Sequence, residues 1–256
     1  MKLNDIQNQK DTRKIPINKV GVKGLKYPVV LQDRVNGTQN SVADINMYVE
    51  LPHDFRGTHM SRFVEILHHY HKETIIDNLE KLLQEMKKRL DANVAYLEMK
   101  FPYFIKKAAP VTKEESLSSY QCGFKASLSN EFIFEMYAKV PVLSLCPCSK
   151  EISEHGAHNQ RAYVTVSILY KDFVWLEELI EIIENSASCE VYSLLKRPDE
   201  KYVTEKSYDN PKFVEDIARD IAIALKNDVR ISKFNIEAES IESIHNHNAF
   251  AMITSS

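Results

Sequence analysis

The residues best able to do chemistry stand together in LCPCSKEISEHGAHNQR, at positions 145–161. Two of the chain's four cysteines, Cys146 and Cys148, lie one residue apart, too close to close an easy disulfide, and His155, His158 and Arg161 follow them. A thiolate is a soft ligand and a strong nucleophile, and neutral imidazole is the commonest nitrogen donor to zinc. Cys146 and His158 are twelve residues apart, far enough for a loop to carry both onto one ion. That spacing matches no structural zinc pattern, so such a site would be open. The plain alternative is a buried free cysteine beside surface histidines. Pro147, Ser149, Lys150 and Glu151 between them make a buried segment implausible.

A second cluster is ESIESIHNHNAF, with Glu242, His245 and His247. In an extended chain the two histidines share a face and Glu242 points the other way, so convergence requires a bend. A solvated polar loop accounts for it equally well. In HHYH at 68–71, His68 and His71 could meet on a helix, but a solvated face explains them better. Glu215 has a plain partner four residues on, Arg219.

These residues need a scaffold, and composition allows one. The chain has 256 residues, 44% hydrophobic and 27% charged, the balance of a globular protein with a core. A net charge of −3 provides no general basic field for nucleic acid or anionic membrane. The polar start MKLNDIQNQKDTRK has no signal-peptide run, and no stretch approaches the roughly 18 apolar residues of a membrane span. With thiols rather than disulfides, a cytoplasmic protein is expected.

Periodicity suggests two similar halves. Two apolar-rich runs flank Asn36-Gly37, the signature of a type I′ hairpin. Helical spacing follows over HMSRFVEILHHYHKETIIDNLEKLLQEMKKRL, then NVAYLEMKFPYFIKKAAP and SYQCGFKASLSNEFIFEMYAKVPV read as two strands. AYVTVSILY alternates as a strand, VWLEELIEIIEN is helical, and NPKFVEDIARDIAIALKN is a helix with Asn210 at its N-cap and Pro211 at its first position. VRISKFNIEAES and HNAFAMIT close as strands. Strands, helices and strands, twice over, predict an α+β protein of two antiparallel sheets backed by helices. The phosphate-binding G-x-x-x-x-G-K-[ST], the dinucleotide G-x-G-x-x-G, the hydrolase G-x-S-x-G and the zinc motif H-E-x-x-H are all missing.

Three motifs in order, DIQNQKDTRKIPINKVGVKGLKYPV, LPHDFRGTHMSRFVE and SLCPCSKEISEHGAHNQR, resemble those of the type IB GTP cyclohydrolases, from near residue 5 to the C-terminus. The resemblance implies the tunnelling fold in two tandem units, 1–140 and 141–256, each an antiparallel four-stranded sheet packed by helices. It implies conversion of GTP and water to 7,8-dihydroneopterin triphosphate and formate at the entry to folate biosynthesis, in a homotetramer with active sites at subunit interfaces. By the same resemblance Cys146, His158 and Glu200 are ligands of a divalent metal, zinc, manganese or iron. Glu215 anchors the purine, and Glu242, His245 and His247 form the C-terminal catalytic cluster. Arg56, Arg62, Lys150 and Arg161 are candidate triphosphate contacts. Two other classes remain open: a nitrile reductase of the same fold with a cysteine nucleophile, and a non-enzymatic metal-storage or metal-sensing protein.

Overall fold

A computed structural model of the chain describes residues 7, 9–70 and 73–255; His71 of the HHYH run lies outside them. The first hairpin is β1 (Ile17–Asp33) and β2 (Gly37–Leu51). Its turn differs from the expected two-residue Asn-Gly form. Asp33 pairs with Gly37, so three residues connect the strands, and Gly37 rather than Asn36 takes a positive φ, 79°. The buried Asp33 carboxylate holds this turn, accepting from the amides of Val35 and Asn36 at 2.9 and 2.7 Å. Gly21 is required for a different reason: a Cβ there would lie 1.9 Å from the Met47 carbonyl oxygen.

The predicted helical run after β2 is two helices, α1 (Met60–His69) and α2 (Ile75–Leu90). It breaks where Thr74 leaves the helix to bridge Val30 of β1. The odd-numbered face of β2, from Ala43 to Leu51, is buried, as are Leu79, Leu82, Leu83 and Met86 of α2, which packs on β1 and β2. Each such leucine contributes roughly 1.5–3 kcal/mol.

Next come β3 (Ala95–Ala108), β4 (Glu115–Leu128) and β5 (Phe132–Leu145). The segment read as one strand over 119–142 is thus parts of two. The short α3 (Pro147–Ile152) precedes β6 (Asn159–Tyr170), and α4 (Leu176–Asn185) precedes β7 (Cys189–Glu190). Then α5 (Arg197–Asp209), which periodicity did not reveal, leads to α6 (Val214–Asn227), β8 (Ile231–Ser240) and β9 (Ala249–Thr254). Helix α6 starts three residues later than predicted. The Asn210 amide does not cap it; it ends α5 and donates to the carbonyls of Ala187 and Ser188. Instead, Asp216 accepts from the amide of Phe213 at 3.1 Å.

The sheet overturns the expected architecture. Hydrogen bonding runs β1-β2-β3-β4-β5-β6-β8-β9, with β7 also on β5, in one nine-stranded sheet. The tunnelling fold of two tandem four-stranded sheets is therefore corrected to a single sheet. Strand length is the cause: β3, β4 and β5 are 14 residues each, so the ladder continues where two short sheets would have ended. By backbone proximity the chain forms two units, one running up to Phe101 and including Gly123–Glu135, the other comprising Pro102–Cys122 and Met136–Ser256. In the second unit Ala162, Val164, Val166 and Ile168 of β6 are fully buried, and α6 packs Ile217, Ile221 and Leu225 inward against β8 and β9.

Candidate active site

The opening motif folds back on itself at the end of β5. The Cys146 amide donates to the His158 carbonyl at 3.1 Å, so the twelve-residue excursion returns beside its start. Ser149 stitches it shut. Its amide donates to Cys146 Sγ at 3.4 Å, its hydroxyl donates to the Cys146 carbonyl at 3.1 Å, and it accepts from the His158 amide at 3.2 Å. The predicted polar loop is thus partly helix, with Cys146 as the N-cap of α3. Gly156, at φ 84°, supplies the left-handed residue in the return.

The second cluster is held at both ends. The Ile241 amide donates to the Arg161 carbonyl at 2.9 Å, and the Asn248 side chain donates to Glu239 at 2.9 Å. Between these anchors the rings of His245 and His247 stack at 5.2 Å, 18° from parallel. Glu242 meets Gln160 of β6, whose amide donates to it at 3.3 Å, and the other end of that amide faces His158 Nδ1 at 2.9 Å. Glu215 stands exposed as the second residue of α6; the pairing with Arg219 is not formed, since Arg219 meets Asp216 at 3.4 Å.

Cys146, His158, Glu215, Glu242, His245 and His247 line one cavity of about 270 Å³, with Phe213, Val214 and Ala249 as its apolar wall. Its lining holds two carboxylates, three imidazoles and a thiol, and no lysine or arginine. The other two structural thiols are set apart: burial pushes Cys189 up to about 12 and raises Cys122 further. Cys148 is exposed and outside the lining, and all four cysteines are free.

The remaining predicted residues lie elsewhere. Glu200 is exposed on the first turn of α5, beside Asp199, whose buried carboxylate accepts from the Val111, Thr112 and Lys196 amides. Arg56 donates to Gln9 and Arg62 to the Arg89 carbonyl, both within the first unit. Lys150 donates to the Tyr208 carbonyl and lies over that ring; Arg161 is exposed. Cys146 and His158 have the donor chemistry of a divalent cation and share the cavity, but Glu200 does not join them. Among the described residues no three histidine, cysteine or acidic side chains are grouped to hold a metal. The pair has the donor chemistry for such an ion, and Glu200 is not among the residues lining the cavity.

Gln160 was missed, though a signal existed. It stands in phase with Ala162, Val164, Val166 and Ile168, at 8% exposure, and a polar side chain on a buried strand face needs partners.

Comparison with known proteins gives the site its context. Residues 3–251 match the family described as type I GTP cyclohydrolase folE2. A protein named GTP cyclohydrolase FolE2 from Geobacter sp. (strain M21) is 57% identical over 98% of this chain and 94% of its own length. One of that name from Thermosipho melanesiensis is 57% identical over 99% of this chain and 98% of its own length. In three dimensions, a highly active mutant of Bacillus sp. TB-90 urate oxidase aligns over 94% of this chain and all of its own, with a TM-score of 0.55 and 11% identity. That likeness concerns the fold alone and agrees with the single extended sheet. The IB label carried by the motifs gives way to the folE2 designation within the same reaction class. The chain belongs to the type I GTP cyclohydrolase folE2 family.

Proposed function

We infer that the chain is a GTP cyclohydrolase, converting GTP and water to 7,8-dihydroneopterin triphosphate and formate, the first step of folate biosynthesis. Full-length membership of the family supports the reaction. The observation that carries the site is the convergence of Cys146, His158, Glu215, Glu242, His245 and His247 on one cavity.

Their chemistry suits opening the imidazole ring of guanine. Glu215, at the mouth of α6, is proposed to accept from guanine N1–H and the exocyclic amine; adenine would leave that acceptor unpaired. His245, with His247 stacked behind it, is the proposed proton donor to the purine and later to the leaving nitrogen. Glu242 holds the Gln160 amide and, through it, the base of the histidine loop. Cys146 and His158 would hold a divalent ion, which would supply a polarised water for attack at C8. Zinc, manganese or iron is proposed as that ion.

A homotetramer with active sites shared between copies is proposed from the family resemblance; among the described residues the cavity lining carries no lysine or arginine. Arg56, Arg62, Lys150 and Arg161 remain the proposed phosphate contacts. Cys146, His158, Glu215, Glu242, His245 and His247 all follow position 141, and a division of labour between 1–140 and 141–256 is proposed on that basis. No helix among the described residues is long and apolar enough to cross a membrane, and the four free cysteines support a cytoplasmic setting. The deciding assay gives purified chain GTP and a series of divalent ions and follows pterin fluorescence. Fluorescent product with loss of GTP is expected; intact GTP across the series would overturn the assignment.

A further inference from the structure

We propose that Gln160 is a positioning residue that fixes which ring nitrogen of His158 carries the proton and ties that choice to the seating of the histidine loop. The inference rests on the reading above that His158 serves the cavity. The Gln160 side chain sits between two groups of opposite hydrogen-bonding character. On one side Glu242 Oε1 lies 3.3 Å from its nitrogen; on the other His158 Nδ1 lies 2.9 Å from its oxygen. An ionised carboxylate only accepts, so the NH₂ end of the amide must face Glu242. The carbonyl end then faces His158, and a carbonyl only accepts. His158 must therefore hold its proton on Nδ1, leaving the Nε2 lone pair available as a donor.

Two further features favour this arrangement over a chance contact. Gln160 is 8% exposed on the buried face of β6, where an amide without partners would be costly. Ser243, next to Glu242, places its hydroxyl 3.5 Å from both His158 Nδ1 and Gln160 Oε1, so the loop bearing His245 and His247 meets the same amide twice. A single side chain thus links His158, on one side of the cavity, to the segment that carries the proposed proton donors. An apolar side chain of the same length would keep the packing and lose the orientation.

The test uses the full chain, labelled with ¹⁵N-histidine and observed above the pH at which imidazole is protonated, with His158→Asn to assign the signal. The parent should show His158 as the Nδ1–H tautomer. Gln160→Met should give a mixture, with kcat for GTP lowered about 10–100-fold, the usual cost of removing such a partner, and KM within about threefold. Gln160→Glu keeps an acceptor at Nδ1 and should restore the tautomer while its repulsion of Glu242 keeps kcat below the parent's. An Nε2–H tautomer in the parent would overturn the proposal, as would an unchanged His158 signal in Gln160→Met. If the methionine variant fails to fold, loss of the Nδ1–H tautomer in Gln160→Glu would equally overturn it. A parent chain that leaves GTP intact would refute the proposed reaction instead, because the tautomer is read without substrate.

Discussion

Two polar clusters of the second unit handle their charges in opposite ways. Around β7 the charges of Lys107, Glu184, Glu190 and Lys206 all have partners. Lys107 Nζ lies 2.8 Å from Glu184, which also accepts from Tyr120 at 2.7 Å, and Glu190 accepts from Lys206 and Tyr192, each at 2.5 Å. At the cavity Glu242 and His158 meet the neutral Gln160 amide, and among the described residues the lining carries no lysine or arginine to neutralise Glu215 or Glu242. Charges saturated by neighbours can hold a fold together but have little left for a ligand. Charged groups without a counter-charge cost stability and remain available for chemistry. The contrast separates structure from function without reference to position in the chain.

The largest expected effect strikes the cavity. Cys146→Ala should abolish GTP turnover and lower bound metal with the circular dichroism spectrum unchanged, whereas Cys148→Ala, outside the lining, should be mild. Full activity in the first variant would remove Cys146 from the machinery. Next, His245→Ala should reduce kcat by roughly 10²–10⁴-fold, the worth of a positioned acid–base group, at nearly parental metal content. Metal lost together with activity would make His245 a ligand. Glu215→Gln presents an amide donor to guanine's donors, and GTP binding should weaken by about 2–4 kcal/mol. A change below twofold in the dissociation constant would return Glu215 to an ordinary surface role.

The smallest effect lies in the saturated cluster and sharpens the comparison by leaving catalysis alone. Burial raises the pKa of Glu190, but Lys206 and the Tyr192 hydroxyl outweigh it and hold it at about 2, against an ordinary 4.5. A folded-state value below the unfolded one stabilises the protein above about pH 4.5, and the contribution is lost as pH falls from there towards 2. Glu190→Gln should cost roughly 1–2 kcal/mol near neutrality, allowing for solvent screening of a partly exposed pair, and flatten the acid side of the stability profile. Urea midpoints at several pH values measure this. Parental midpoints throughout, or a large loss of turnover, would mean the two clusters are not distinct in the way described.

Much of the molecule follows from local sequence. The alternation of AYVTVSILY places Ala162 through Ile168 on a buried face, and the stripe of Ile217, Ile221 and Leu225 makes α6 amphipathic. Such patterns depend on residues two to four apart, and the chain carries them wherever it packs. The motif residues at 146, 158, 215, 242, 245 and 247 could likewise be named from their types and from resemblance. Their convergence could not. It depends on the Cys146 amide reaching the His158 carbonyl and on Ile241 docking on Arg161, contacts across twelve and eighty residues. The extent of the sheet was also beyond local pattern, because alternation specifies a strand's faces and not which neighbour it joins or where the ladder stops. Residues 199 and 200 show the same limit: local pattern does not say that Asp199 is the buried anchor of α5 while its neighbour Glu200 is exposed. Gln160 shows the converse, since only the three-dimensional neighbours of a buried amide reveal which of its ends must face which group.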